Sequence, residues 1–149
     1  METNINSIEA ENLKMMTTDF KEVVKGKMEE KQIEKIVSDM SSFTNSHAAQ
    51  CPISSAVFYV WINVIVEGGK SAVGHGGGLF TPGGGGSWGH LYTNDIERLY
   101  RDTISFQVNA AQVYLNVNFF DAHSNLLGSY HGGGIGTVRG IGGGTTKWT

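Results

Sequence analysis

Apolar and polar residues follow two different patterns along the chain. Across residues 20–40, apolar side chains recur mostly every three, four or five positions with charged side chains between them, which favours a helix over a strand. The pattern leaves open whether this helix packs on the rest of the protein or on a partner, or is a solvated, mobile leader. Residues 1 to about 18 lack a strong period and predict a disordered tail. The stretch SSFTNSHAAQCP, residues 41–52, predicts a linker.

Beyond the linker the pattern is that of short strands joined by tight turns. Residues 56–66 form a β-branched and aromatic run that ends at Gly68 and Gly69. Residues 113–120 alternate with a period of two, which predicts a strand with two distinct faces. One face carries Tyr114, Asn116, Asn118 and Phe120, and the other carries Val113, Leu115, Val117 and Phe119. Further strands are predicted at residues 71–76, 78–81, 86–90, 104–109, 126–131, 134–139 and 146–149.

One short helix is predicted among the strands, at residues 94–101. Thr93 is the expected N-terminal cap, and Asp95 and Glu97 suit the positive end of the helix dipole. Three apolar residues at helical spacing form one face: Ile96, Leu99 and Tyr100. We therefore expect this helix to close one end of the strand-rich part.

The strand-rich part contains an internal duplication. Its first half holds INVIVEGG, HGGGL and GGGSW, and its second half holds LNVNFF, HGGGI and GGGTTKW in the same order. The corresponding pairs are Asn63 and Asn116, His75 and His131, and Trp88 and Trp148. Two similar four-stranded units joined by one helix predict an all-β fold, a closed eight-stranded antiparallel barrel of two Greek keys. Because the glycine runs recur in both halves, we interpret them as architectural.

Charge and glycine content divide the chain at a similar point. Residues 1–50 hold six Lys, seven Glu and two Asp, whereas residues 51–149 hold five basic residues, five acidic residues and 20 of the 21 glycines. We therefore expect residues 1–50 to be a disordered or partly helical N-terminal segment and residues 51–149 to be the barrel domain. The absence of a basic stripe argues against nucleic-acid binding. No run of 18 apolar residues predicts a membrane-spanning helix.

Two features bear on the cellular compartment. The start, METNINSIEAEN, lacks the charged and apolar regions of a secretory signal. We therefore expect the chain to stay inside the cell, to leave by another route, or to follow a leader outside this numbering. A single cysteine, Cys51, cannot form an internal disulfide and is expected to be a small buried or boundary residue.

Short motifs that resemble enzyme sites stand in the wrong context. GGSWG, residues 85–89, matches the nucleophile elbow of hydrolases, and HGGG at His75 resembles an oxyanion loop, but glycines precede Ser87 where the elbow needs an apolar strand. Gly68-Gly69-Lys70-Ser71 lacks the earlier glycine of a phosphate-binding loop. Arg98 and Arg101 alternate with Asp95, Glu97 and Asp102, which predicts surface ion pairs. We therefore expect no catalytic residues and no enzyme activity.

Histidine and tryptophan residues provide the remaining candidates for a site. None of the five histidines, His47, His75, His90, His123 and His131, has the spacing of a metal ligand set, so no metal or cofactor site is expected. The symmetric pair His75 and His131 is either a pair of hydrogen-bonded barrel residues or an acid sensor. Trp61 is expected in the core, whereas Trp88 and Trp148, beside glycine runs, suit either the core or a ligand or membrane interface.

Residues 83–121, GGGGSWGHLYTNDIERLYRDTISFQVNAAQVYLNVNFFD, closely resemble the virulence-associated proteins (Vap family) of Rhodococcus equi. The resemblance continues through LLGSYHGGGIGTVRGIGGG to Trp148 and covers about residues 53–149. It implies a compact eight-stranded barrel of two Greek keys with one short helix, similar in shape to avidin-like barrels but without an obvious ligand pocket. It also implies a variable N-terminal segment, no catalytic residues, and a role in survival inside macrophages and in disturbing acidified phagosome and lysosome membranes. Family members carry a signal peptide, and the start of this chain does not resemble one.

From the residues and the resemblance together we expect a non-enzymatic virulence or effector-type protein that acts as a monomer on host endolysosomal membranes or lipids. It is expected to be secreted or exported to the host, or cytoplasmic if no export route exists. The alternative is a binding module for a host protein or a glycan, with residues 1–50 as an export or packaging leader. The binding residues are not assigned, and the first candidates are His75, His131, Trp88 and Trp148.

Overall fold

The computed structural model describes residues 3–4, 7–111 and 114–149, and at residues 7–9 and 135 it describes the backbone only. The helices are α1 (Ser7–Val24), α2 (Glu30–Ser41) and α3 (Ile96–Asp102). The strands are β1 (Thr3–Asn4), β2 (Asn45–Gln50), β3 (Ile53–Ala56), β4 (Tyr59–Val66), β5 (Ser71–Phe80), β6 (Gly83–Thr93), β7 (Ser105–Ala110), β8 (Tyr114–Phe120), β9 (Leu126–Gly136) and β10 (Gly140–Trp148).

The predicted closed eight-stranded antiparallel barrel is confirmed. β2 and β3 follow one another between β4 and β6 in an unbroken register, and across their short break the Cys51 N–H donates to the Ser87 carbonyl at 2.8 Å. Residues 45–56 therefore act as one barrel strand. Around the barrel the order is β2/β3, β4, β5, β10, β7, β8, β9, β6 and back to β2/β3. In each half, the fourth strand lies beside the first, which is the arrangement of two Greek keys.

The linker predicted at residues 41–52 is wrong for most of its length. β2 pairs with β6 from Asn45 to Gln50, and the inward side chains of Ala49 and Cys51 join the barrel core. The barrel thus begins at Asn45, ahead of the boundary expected at Cys51. The sequence NSHAAQ hid this strand because it has no β-branched or aromatic residue. The division of the chain into two independent folding units stays a prediction.

The N-terminal segment forms a helical hairpin. The single helix predicted across residues 20–40 is two helices, because Gly26 takes a φ of 76° in the turn between α1 and α2. The disordered tail predicted over residues 1–18 is wrong for residues 7–18, which belong to α1. Residues 1, 2, 5 and 6 lie outside the described part of the chain.

A second apolar cluster, separate from the barrel core, joins the helical hairpin to the outer barrel wall. Met16, Phe20 and Met40 are fully buried in it, and the barrel contributes Tyr92 and Leu126. Of the alternatives that the sequence left open, the structure therefore shows the helix packed on the barrel.

The two faces predicted for β8 are confirmed for its described residues, and Val113 lies outside them. Leu115, Val117 and Phe119 fill the barrel core. On the outer face, Asn116 and Asn118 are fully buried beside the helical hairpin, and Asn109 of β7 donates to Asn116 Oδ1 at 2.9 Å. Asn116 Nδ2 also donates to Asn118 Oδ1 at 3.1 Å. These amides satisfy one another, so their burial carries no unpaired donor.

The helix predicted at residues 94–101 is confirmed as α3, with a different cap. Asp95 caps it, because its Oδ1 accepts from the Arg98 N–H at 3.1 Å, while Thr93 Oγ1 donates to the Leu127 carbonyl at 2.7 Å. Leu99 is fully buried in the barrel core. We call this end of the barrel the helix end.

Candidate functional site

The connections that follow β3, β5 and β9 lie opposite the helix end, at what we call the turn end. Main-chain hydrogen bonds join them there, from the Phe80 N–H to the Val57 carbonyl at 2.9 Å and from the Thr81 N–H to the Arg139 carbonyl at 2.8 Å. The turn end exposes three large apolar side chains: Val57 (43%), Phe58 (72%) and Leu79 (66%). Single exposed apolar side chains are common on protein surfaces, but a group of three at one end of a barrel is typical of an interaction site.

Charge is distributed unequally between the two ends of the barrel. All five acidic residues of the barrel part lie at the helix end, in α3 with its cap or in the turns after β4 and β8: Glu67, Asp95, Glu97, Asp102 and Asp121. Four of the five basic residues of the barrel part lie at the helix end as well: Lys70, Arg98, Arg101 and Lys147. The turn end has one charged residue, Arg139, whose guanidinium donates to the Gly136 and Val138 carbonyls at 3.0 and 2.8 Å. The turn end therefore exposes apolar side chains and carries no carboxylate, a contrast that no short sequence motif reveals.

An aromatic strip on the outer wall of β4 and β5 begins at the turn end. The Tyr59 ring lies 5.1 Å from Trp61 and stacks on His75 at 6.2 Å. The prediction that Trp61 fills the core is wrong, since the side chain is 46% exposed. It points outward because the alternate residues Val60 and Ile62 point inward.

The two predicted symmetric histidines lie on equivalent strands, β5 and β9, but in different surroundings. His75 is exposed, whereas His131 packs against the Tyr114 ring at 5.3 Å, and Tyr114 Oη donates to the Asp19 carbonyl of α1 at 3.0 Å. Burial lowers the pKa of His131, and the nearby Asp19 carboxylate partly offsets this. Its Nε2 is buried without a hydrogen-bond partner in the described part of the chain. His131 is thus held neutral beside the helical hairpin, with His90 as its neighbour on β6.

We expect the helical hairpin to loosen from the barrel as the pH falls below about 6.5. The docked state binds fewer protons at His131 than the open state, so docking is most stable above pH 6.5, the ordinary pKa. It weakens as the pH falls from there toward the lowered pKa of the docked state. Hydrogen exchange of α1 and α2 at about pH 7 and about pH 5, corrected for intrinsic exchange rates, measures this effect. His131→Gln should flatten the pH dependence. Equal pH dependence in the parent and this variant would contradict the assignment.

The predicted correspondence of Trp88 and Trp148 is wrong, because they lie on opposite sides of the barrel wall. Trp88 is 61% exposed on the outside of β6. Trp148 is buried inside, with its ring 5.0 Å from Phe119 and 5.2 Å from Tyr100. Asn63 and Asn116 do lie on the outer faces of equivalent strands. The duplication therefore holds for strand order but not for every matched side chain.

Two potentially nucleophilic side chains, Ser87 and Cys51, are buried in the barrel. Ser87 is buried within β6, and its Oγ is 2.8 Å from Tyr130 Oη, so the prediction that it does not stand on a nucleophile elbow is confirmed. Cys51 is fully buried as predicted, and burial raises the pKa of its thiol to about 12. A thiol with so high a pKa is inert at physiological pH.

The ion pairs predicted around α3 are present. Arg98 Nε lies 3.8 Å from Asp102 Oδ2, and Arg101 Nε lies 2.9 Å from Asp102 Oδ1. Arg98 also pairs with Asp121, at 3.4 Å, which was not predicted. The described residues contain no cluster of three or more His, Cys, Asp or Glu side chains suited to a metal ion. None of the described helices is long and apolar enough to cross a membrane.

The glycines interpreted as architectural divide into two groups. A Cβ at Gly76 or Gly78 would collide with the β10 backbone, so these positions need glycine for the close approach of strands. Outward-facing Gly77, Gly84 and Gly133 have ordinary or open space around a Cβ. The architectural interpretation is therefore correct for the first group only, and the second group leaves the outer wall flat.

The family model for the Rhodococcus equi virulence-associated protein matches residues 3–149 of the chain. The chain belongs to this family. Its match extends over the helical hairpin as well as the barrel, whereas the resemblance seen in the sequence covered only about residues 53–149. A search of curated proteins finds no match.

Two solved structures of the virulence-associated family share the fold. VapD from Rhodococcus equi is 42% identical, with a TM-score of 0.68, and the match covers 70% of this chain and 96% of VapD. VapB from the same organism is 40% identical, with a TM-score of 0.66, and the match covers 70% of this chain and 95% of VapB. Residues 45–149, which form the barrel, are 105 of the 149 residues, or 70% of the chain. The helical hairpin is thus of the right length to account for the unmatched part.

Proposed function

We propose that the protein is a non-enzymatic virulence factor that docks the turn end of its barrel on a host endolysosomal membrane. One observation carries the proposal: the exposed side chains of Val57, Phe58 and Leu79 share an end of the barrel that has no carboxylate. Moving apolar surface from water into the lipid interface gains about 25 cal/mol per Å². The family's association with virulence supports an action on the host.

The charge distribution supports one orientation on the membrane. The turn end carries Arg139 and no carboxylate, so anionic lipids attract it, a basic residue near the surface being worth about 1 kcal/mol, whereas at the helix end five carboxylates outnumber four basic residues. The aromatic strip, with Tyr59 and Trp61, continues from the turn end and suits the headgroup layer, where tyrosine and tryptophan rings are enriched. The proposed orientation therefore points the turn end into the lipid and the helix end toward water.

Vesicle flotation of the full chain tests the proposal. The vesicles contain phosphatidylcholine and phosphatidylserine, at about pH 5 and about pH 7. Combining Phe58→Ser with Leu79→Ser should lower the partition coefficient onto the vesicles by at least about tenfold, equivalent to about 1.4 kcal/mol. Ile104→Ser, which replaces a 50% exposed apolar residue at the helix end, is the matched control and should bind normally. No flotation of the parent protein, or equal loss in the control, would overturn the proposal.

Export to the host is part of the same proposal, and the proposed leader is the part of residues 1–50 that precedes the barrel, residues 1–44. Met16 and Phe20 of this segment pack on the barrel. We therefore expect the export machinery to recognise the leader while the protein is folded. Deleting the segment that precedes Asn45 in the producing cell should stop export while the barrel persists. Unchanged export would remove the leader role and leave the membrane proposal intact.

A further inference from the structure

A shallow groove of about 630 Å³ runs along the outer face of β2, on the half of the strand nearer the helix end. Ala48 lies on its floor, between Trp88 and His90 on β6 and Ile65 and Glu67 on β4. The small side chain of Ala48 between larger neighbours creates the depression. Its volume is within the range of sites for small ligands, about 300–1,000 Å³.

Trp88 forms an exposed platform in this groove. The six-membered part of its ring lies over Gly86, where a Cβ would be 3.6 Å from Trp88 Cη2. With 61% of the residue exposed, the indole has aromatic surface facing solvent. Its position outside the barrel removes it from the core packing that holds Trp148. An exposed tryptophan beside a groove is a typical platform for a planar or ring-shaped ligand.

The polar groups of the groove restrict the ligand. The Gln50 amide and the His90 imidazole each donate and accept hydrogen bonds, and the Glu67 carboxylate accepts them. The Glu67 N–H donates to the Ala48 carbonyl at 2.9 Å, which fixes this residue beside the floor. No Lys or Arg lines the groove, so an anionic phosphate is not the matching ligand.

Backbone pairing restricts the ligand further. At Ala49 and Gln50, β2 pairs with β4 on one side and β6 on the other, so a peptide cannot add as a further strand there. With phosphates and added peptide strands excluded, a neutral polyhydroxylated ring is the ligand that matches the groove. It has an apolar face for Trp88 and hydroxyls that both donate and accept.

We propose that the groove over β2 is a glycan-binding site, in which a sugar ring stacks on Trp88 and its hydroxyls bond to Gln50, Glu67 and His90. This inference goes beyond docking on membranes and is independent of it, because Phe58 and Leu79 do not line the groove.

The test is titration of the full-length protein with three neutral saccharides, N-acetyllactosamine, maltotriose and a mannose pentasaccharide, followed by NMR of the tryptophan Nε1–H signals. At least one saccharide should shift the Trp88 signal in a saturable way. Trp88→Ala, which lacks this signal and is therefore titrated by calorimetry beside the parent, should weaken saccharide binding by at least about tenfold. Ala48→Leu, which fills the floor of the groove and leaves Trp88 in place, should weaken saccharide binding by a similar factor. The matched control is Trp61→Ala, another exposed tryptophan, and should leave affinity unchanged.

Three results would overturn the glycan site. One is the absence of saturable shifts with all three saccharides. Another is a saccharide affinity that survives both Trp88→Ala and Ala48→Leu. The third is a loss of vesicle flotation in Trp88→Ala together with unchanged saccharide affinity, which would assign the platform to the lipid surface instead.

Discussion

Replacing Gly76 by alanine should lower the free energy of unfolding by about 3 kcal/mol, near the upper end of what overpacking costs. The new Cβ would collide with the Gly143 carbonyl oxygen and lie 2.6 Å from the Gly143 carbonyl carbon and Gly144 Cα. These are backbone atoms of β10, which pairs with β5 along its whole length. Relief therefore requires two barrel strands to separate, rather than one side chain to rotate.

The neighbouring glycine provides the control for this prediction. A Cβ at Gly77 would have the Phe58 carbonyl oxygen at 3.8 Å as its nearest neighbour. Gly77→Ala should therefore leave stability nearly unchanged or raise it by about 0.5 kcal/mol, because alanine restricts the unfolded chain. Denaturant unfolding followed by circular dichroism measures both variants. Equal destabilisation by the two would contradict the packing described for the HGGG stretch.

Replacing Met16 by alanine should release the helical hairpin and leave the barrel folded. Met16 is fully buried between α1 and the outer wall, and the loss of such a side chain costs about 2–5 kcal/mol. Because its cluster is separate from the barrel core, the cost falls on hairpin docking. Limited proteolysis should cut within α1 and α2 while a fragment that begins near Asn45 resists, as expected of two folding units.

Met15→Ala is the matched control, since the neighbouring methionine is 60% exposed and the substitution is identical. It should leave the proteolysis pattern unchanged. If Met16→Ala made the barrel and the hairpin equally sensitive to protease, the chain would be one cooperative unit, and the division into two units would be wrong.

The sequence predicted the barrel well where strands carry a strong periodic signal. β8 alternates apolar and polar residues, and α3 has a clear apolar face, so both were placed correctly. The strand β2 was missed because its alternation of Ala, Ser, His and Gln is weak. Its pairing is fixed by the strands on either side, which local sequence does not reveal. The turn at Gly26 between α1 and α2 was missed because one glycine within a periodic segment is compatible with a continuous helix.

Predicting the candidate surfaces requires knowing whether each side chain points into the barrel or out of it. Trp88 and Trp148 occupy similar positions in repeated motifs, yet one faces solvent and the other the core. A change of one residue in register reverses the face of a strand residue, and the different turn lengths of the two halves permit such a change. The turn end could not be recognised from the sequence, because Val57, Phe58 and Leu79 come together only through the pairing of β4 with β5.

The most direct test of membrane docking is fluorescence quenching by brominated phospholipids. A single exposed reporter, Phe58→Trp, is placed in a protein that also carries Trp61→Phe and Trp88→Phe, leaving buried Trp148 as an internal reference. The account predicts that vesicles with brominated acyl chains quench residue 58, and that moving the reporter to the helix end as Ile104→Trp abolishes the quenching. A protein that floats with the vesicles while residue 58 is not quenched, or is quenched no more than residue 104, would contradict the proposed orientation.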